Sequence, residues 1–178
     1  MINFNIISFF EGSRLNGYVP EGGDKSGVTV ASGFDIGQRS ADEIDDAFTV
    51  QLADKLAPYC MLKGKSAIEE LERMPLSVTQ PEAEIINNYA HNQCLENLLD
   101  DWSNYTNLEF NALSDECQTV IASVAFQYGD LPTRCPMFWR QAVTQDWQAM
   151  LRNLWDFGDN FETRRRQEYM ILKWGATK

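Results

Sequence analysis

Residues 9–40 read FFEGSRLNGYVPEGGDKSGVTVASGFDIGQRS, and the residue spacing changes character twice along them. Leading into this stretch, Ile2, Ile6, Phe9 and Phe10 fall at helical spacing, with Phe4 and Ile7 widening the apolar stripe, so residues 2–10 are expected to form a helix. Glu11 and Gly12 end it. Residues 17–37 are then rich in Gly and β-branched side chains, which reads as short strands joined by tight turns, a hairpin or small meander. At Ser40 the punctuation becomes helical, because a Ser with Glu43 three residues on can satisfy the backbone donors at a helix start.

Beyond this stretch the chain reads as helices. The Ser40 signal predicts a helix to about residue 56. Thr79 and Glu82 repeat the device before the apolar-periodic Ile85, Ile86, Tyr89 and Ala90, which predicts a second long helix at about 80–100. Ser114, Asp115 and Glu116 open another that Gly129 closes; its interior, CQTVIASVAFQYG, is apolar or small all round, so it is expected to be a buried hub. Further helices are expected at about 145–156 and 161–173. The fold class is therefore α+β and mostly helical, in one domain over residues 1–178. A helix and β lobe is expected at about 1–40, a helical lobe at about 41–178, and a cleft between them.

Composition narrows the function. The chain has 178 residues, with 15 Lys and Arg against 26 Asp and Glu, a formal net charge of −11. That excess of carboxylates repels phosphate, and the one basic run, Arg164, Arg165 and Arg166, splays around a helix, so a nucleic-acid partner is excluded. No apolar run reaches the roughly 18 residues of a membrane span, and no membrane partner is expected. The apolar N-terminus lacks a basic leader and a small-residue cleavage site; it reads as mature fold rather than signal peptide.

Cys60, Cys94, Cys117 and Cys135 form no CxxC pair, and His91 is the only imidazole, so no metal and no cofactor is expected. A triad would have to use His91, which has no nucleophile elbow beside it and reads as a helix-surface or boundary residue. Carboxylate chemistry remains. Glu11 follows an apolar helix and sits at its negative end, and both settings favour the protonated acid that cleavage of a glycosidic bond needs.

Taken together, residues 9–40 resemble the start of the pesticin-like muramidases, a branch of the phage-type lysozymes. Glu11-Gly12 matches the family's E-G pair, in which the glutamate is the general acid. Thr29-Val30-Ala31-Ser32-Gly33 matches its hairpin T-x-x-x-G, whose threonine helps to place the attacking water. Phe34-Asp35 matches the form in which the second carboxylate follows the threonine by six positions; in typical phage lysozymes it precedes it, where Glu21 and Asp24 stand here. Asp35 is thus the first choice and Asp24 the reserve. Residues 161–173 resemble the closing helix, from which Arg164 or Arg165 would approach the general acid.

The resemblance implies hydrolysis of the β-1,4 bond between N-acetylmuramic acid and N-acetylglucosamine, with peptidoglycan strands as partner. Inversion requires carboxyls roughly 6.5–9.5 Å apart and a covalent intermediate about 5 Å. Tyr18, Phe34, Gly33 and Trp139, with Arg165, are the expected sugar contacts, aromatic faces being suited to sugar rings. An acidic lysozyme suits an antibacterial effector, bacteriocin domain or phage lysin made in the cytoplasm and delivered to the periplasm or cell wall, with a cognate immunity protein as a further partner. Two alternatives stay open: a chitin- or chitosan-cleaving enzyme on the same fold, and a non-catalytic glycan-binding module.

Overall fold

Side-chain caps set several of the boundaries in the computed structural model, which describes residues 1–21 and 25–176. Helix α1 (Phe4–Glu11) leads through Gly12 into strand β1 (Arg14–Tyr18), followed by β2 (Thr29–Ala31) and β3 (Phe34–Asp35). Gly12 has φ +65° and an open Cβ position, so it is the left-handed conformation after the helix, rather than space, that calls for glycine. The strands form the expected antiparallel meander in the order β1-β2-β3.

After a short 3₁₀ turn at Ile36–Gln38 come α2 (Ala41–Ala47), α3 (Val50–Leu56), α4 (Lys65–Arg73) and α5 (Gln80–Tyr105). The Ser40 hydroxyl accepts from Glu43 N–H at 3.1 Å, as its spacing predicts. The helix expected from there to residue 56 is nevertheless two helices. Phe48 is extended, with φ −126° and ψ 163°. It is buried edge-on to Phe34 and Tyr89, so aromatic packing outweighs the local helical preference. At α5 both halves of the capping box form, with Glu82 accepting from Thr79 N–H at 2.7 Å and Thr79 Oγ1 from Glu82 N–H at 3.4 Å.

The remaining helices are α6 (Asp115–Tyr128), α7 (Leu131–Arg134), α8 (Pro136–Val143), α9 (Trp147–Trp155) and α10 (Glu162–Gly175). Every side chain of α6 from Cys117 to Ala125 is buried, as a helix apolar on all sides must be.

The chain divides into two compact units, one of residues 11–90 and one of residues 1–10 with 91–178. The β-bearing unit thus runs to Ala90, well past the residue 40 expected from sequence. The reason is burial: three short strands cannot cover their own apolar side chains, and Val28, Val30, Phe34 and Ile36 share a core with Ile44, Leu52, Leu56 and Ile86. The second unit has its own core, with Ile7, Trp102, Val120, Ile121, Phe138 and Leu154 among its members. His91 belongs there. It is 5% exposed, further inside than the helix-surface or boundary position expected, and lies against Phe4 and Phe126 with ring centroids at 5.3 and 4.4 Å.

Candidate functional site

Glu11, Thr29 and Asp35 all fall in the unit of residues 11–90. Thr29 and Asp35 are direct partners across β2 and β3, and Tyr18 is the partner of Thr29 across β1 and β2, so the three form one row across the sheet. Directly opposed residues in an antiparallel ladder project to the same face, with Cβ atoms about 4.5–5.5 Å apart. The six-residue spacing of Thr29 and Asp35 is what a tight hairpin turns into a pair.

The Asp35 carboxylate is held by backbone N–H groups. Oδ1 accepts from Gly27 and Gly37, both at 3.0 Å. Among the described residues Oδ2 accepts at longer range, from Gly27 N–H at 3.2 Å and Gln38 Nε2 at 3.4 Å. A carboxylate offers about four acceptor positions, so Oδ2 is the oxygen with capacity for a further donor such as water.

This cradle depends on two glycines packed back to back. A Cβ on Gly37 would meet Leu62 O at 2.2 Å and Gly27 Cα at 2.6 Å, and one on Gly27 would meet Gly37 Cα at 2.4 Å. Asp35 also caps the 3₁₀ turn that follows it, through the same Gly37 N–H. The Thr29 hydroxyl donates to Gly27 O at 3.3 Å, and Thr29 is 3% exposed. Its lone pairs remain as acceptors.

The hairpin tip is bonded to the residue after Glu11. Ser32 Oγ donates to Gly12 O at 2.6 Å, and Ser32 N–H donates to Asn87 Oδ1 of α5 at 3.0 Å. On either side of Ser32 the backbone is left-handed, with φ +54° at Ala31 and +97° at Gly33. Glycine adopts this region freely, whereas for Ala31 it costs about 1–2 kcal/mol, which the two hydrogen bonds of Ser32 help to hold. Ser32, Asn87, Gly27 and Gly37 were not singled out from sequence. The glycines had a signal, bracketing the Thr29-to-Asp35 segment two residues out on each side, while Asn87, 55 residues from Ser32, had none.

The expected sugar contacts separate. Gly33 is exposed at the hairpin tip, and Tyr18 is half-buried beneath the Arg14 guanidinium, 4.4 Å from the ring centroid. Phe34, by contrast, is a core side chain at 4% exposure, edge-on to Phe48 and Tyr89 with Arg39 over its ring. Trp139 is 2% exposed against Trp102 and Tyr105. Neither ring keeps a face for a sugar, because apolar periodicity marks a core position and a ligand-facing one alike. Asp24 lies outside the described residues.

Arg165 is buried in its own unit. It pairs with Glu168 and with Asp159, the latter at 2.9 Å, bonds Gln127, and stacks 4.4 Å from the Phe157 centroid. Burial pushes the Asp159 carboxyl up, but hydrogen bonds from Tyr128, Phe161 N–H and Arg165 outweigh it and leave the pKa below the usual carboxylate value. Arg164 donates to Glu168 and to the Ser123 carbonyl, and lies 5.4 Å from the ring centroid of Phe10, the residue before Glu11. Arg164 and Arg165 thus belong to an ion-pair network around the buried Glu168, while Arg166 donates to the Trp155 carbonyl and stacks on the Trp155 ring.

Among the described residues, no group of three or more His, Cys, Asp and Glu side chains is placed to hold a metal ion. No described helix is long and apolar enough to cross a membrane. Cys60, Cys117 and Cys135 are thiols outside any disulfide.

A small antiparallel sheet on a largely helical α+β fold, entered from a helix that ends in Glu-Gly and carrying threonine and aspartate in one row, defines a lysozyme-like domain. The chain belongs to the family described as "Pesticin: Bacterial toxin homologue of phage lysozyme, C-term", which matches residues 1–148. No curated protein matches the sequence.

Proposed function

We propose that this chain is an N-acetylmuramidase that cleaves the β-1,4 bond between N-acetylmuramic acid and N-acetylglucosamine in peptidoglycan. Membership of a family of toxins homologous to phage lysozyme supports a peptidoglycan hydrolase in general. The observation that carries the catalytic assignment is the Thr29–Asp35 pair, on a hairpin whose tip is bonded to the residue following Glu11.

In this reading Glu11 protonates the leaving glycosidic oxygen. Asp35 Oδ2 and the Thr29 hydroxyl hold a water on the opposite side of the sugar, and Asp35 takes its proton as the water attacks the anomeric carbon. Oδ2 rather than Oδ1 is assigned as the base, since Oδ1 is held by the shorter bonds, from Gly27 and Gly37 both at 3.0 Å. Gly33, at the exposed tip, lets a strand pass close to the backbone, and Tyr18 offers a ring edge to a sugar. The net charge of −11 sets the enzyme against a wall polymer of like sign, so we assign it to delivery from the cytoplasm to the periplasm or cell wall, with a cognate inhibitor protein in the producing cell.

The test is release of reducing ends from purified peptidoglycan. Glu11→Gln keeps the shape and removes the acid, and is expected to lower kcat about 10²–10⁴-fold with the melting temperature unchanged. Asp35→Asn and Asp24→Asn run in parallel, and a larger loss from Asp24→Asn would transfer the second role to that residue. Activity on chitin oligomers with none on peptidoglycan would change the substrate. Binding to the wall without hydrolysis by the unaltered protein would leave a glycan-binding module.

A further inference from the structure

Ser32 occupies an interior position of the T-x-x-x-G segment and makes the side-chain bond that ties the hairpin to the end of α1. We infer that Ser32 and Asn87 are positioning residues for the hydrolysis proposed above, fixing the spacing of Glu11 from the Thr29–Asp35 pair. The inference rests on that reading of the site.

Several constraints converge on Ser32. Its side chain reaches back 20 residues to the Gly12 carbonyl, at 2.6 Å. Gly12 is the first residue beyond α1, and the chain turns at its left-handed backbone between Glu11 and β1, so a bond to its carbonyl acts one residue from the acid. The ladder between β1 and β2 begins only at Arg14, opposite Ala31. The Ser32–Gly12 bond therefore extends the strand pairing by one side-chain rung, up to the residue beside the acid.

The second bond keeps Ser32 itself in place. Its N–H points to Asn87 Oδ1 at 3.0 Å, and Asn87 stands on α5, the longest helix of the fold. Ile86, the neighbour of Asn87, is fully buried in the core of the same unit, which gives the amide a rigid base. The left-handed φ of Ala31 shows that this turn is held in a conformation its own residues do not favour. Without Asn87 the turn loses an anchor, and without the Ser32 hydroxyl the helix end loses its link to the hairpin. An inverting hydrolase needs its acid and its water-holding carboxylate at a fixed separation, and displacements of about 1 Å cost about a hundredfold in rate.

The test uses the full chain and purified peptidoglycan, with Ser32→Ala, Ser32→Thr, Asn87→Leu and Asn87→Asp beside the unaltered protein and Glu11→Gln. Ser32→Thr keeps the donor hydroxyl, and Asn87→Asp keeps an acceptor opposite Ser32 N–H. The expected result is a fall in kcat of about 10–100-fold for Ser32→Ala and Asn87→Leu, with KM within about twofold. The two conservative variants should stay within about threefold of the unaltered kcat.

Thermal melts accompany each assay. A kcat loss that tracks lost folded protein, or that Ser32→Thr and Asn87→Asp share in full, overturns the positioning role. So does a Ser32→Ala protein of undiminished kcat while Glu11→Gln is inactive, an outcome that leaves the muramidase assignment standing. An unaltered protein that releases no reducing ends overturns both.

Discussion

Gly37→Ala probes the two closest backbone approaches near the site at once. The added methyl would lie 2.2 Å from Leu62 O and 2.6 Å from Gly27 Cα, both backbone atoms that no side-chain rotation can move aside. Overpacking of this kind costs about 1–3 kcal/mol. Relief requires Gly37 and Gly27 to separate, which loosens the two N–H bonds to Asp35 Oδ1, each worth roughly 1.5–3 kcal/mol as a bond to a charged group. With partial loss of one such bond the total comes to about 3 kcal/mol. For a chain of this length that lowers the melting temperature by about 6–12 °C.

Gly33→Ala is the control. Its added Cβ has no neighbour within 4 Å, and the cost is only that of φ +97°, about 1 kcal/mol or 2–4 °C. Thermal melts followed by circular dichroism measure both, and reducing-end release at a temperature where each variant is folded reads the effect on Asp35. Melting of Gly37→Ala within 2 °C of the unaltered protein, or below Gly33→Ala in cost, would refute the account of the glycine cradle.

Three further outcomes are expected. Arg165→Met leaves the half-buried Asp159 without the arginine it pairs with and the buried Glu168 with Arg164 alone, and should destabilise the protein by about 3 kcal/mol, measured by urea unfolding. Because the folded pKa of Asp159 lies below its unfolded value, its contribution is present above pH about 4 and is lost as the pH falls through the folded pKa. The stability difference between the unaltered protein and Asp159→Asn should therefore shrink on acidification below pH 4, and a difference that grows would reverse the assigned sign. Burial pushes the Cys117 and Cys135 thiols up, so in a thiol-reagent titration both should stay unreacted in the folded protein and react in urea.

Local chemistry was legible where one side chain settles one boundary. The Thr79–Glu82 capping box and the Ser114 cap satisfy backbone groups within four residues, and the left-handed Gly12 follows the last residue of α1, so their effect needs no distant partner. The all-apolar run of α6 likewise had only one stable disposition, the interior. By the same logic, the Thr29-to-Asp35 spacing yields a cross-strand pair once the segment is a hairpin, because pairing across a tight turn is fixed by residue count.

Tertiary structure decided what depends on groups far apart in the chain. Phe48 breaks a helix that its neighbours favour, because burial beside Phe34 and Tyr89 is worth more than continued helix. The same burial turned Phe34 and Trp139 from expected sugar contacts into core side chains, and moved His91 inside. Arg165 became the centre of an ion-pair network with Glu168 and Asp159, a pairing that three consecutive arginines do not disclose. The candidate site divides along the same line. Glu11, Thr29 and Asp35 are candidates on chemistry and spacing that are local, whereas the Gly27–Gly37 contact and the Asn87–Ser32–Gly12 bonds exist only after the chain closes on itself, when backbone approach and hydrogen-bond direction, rather than residue type, select the partners.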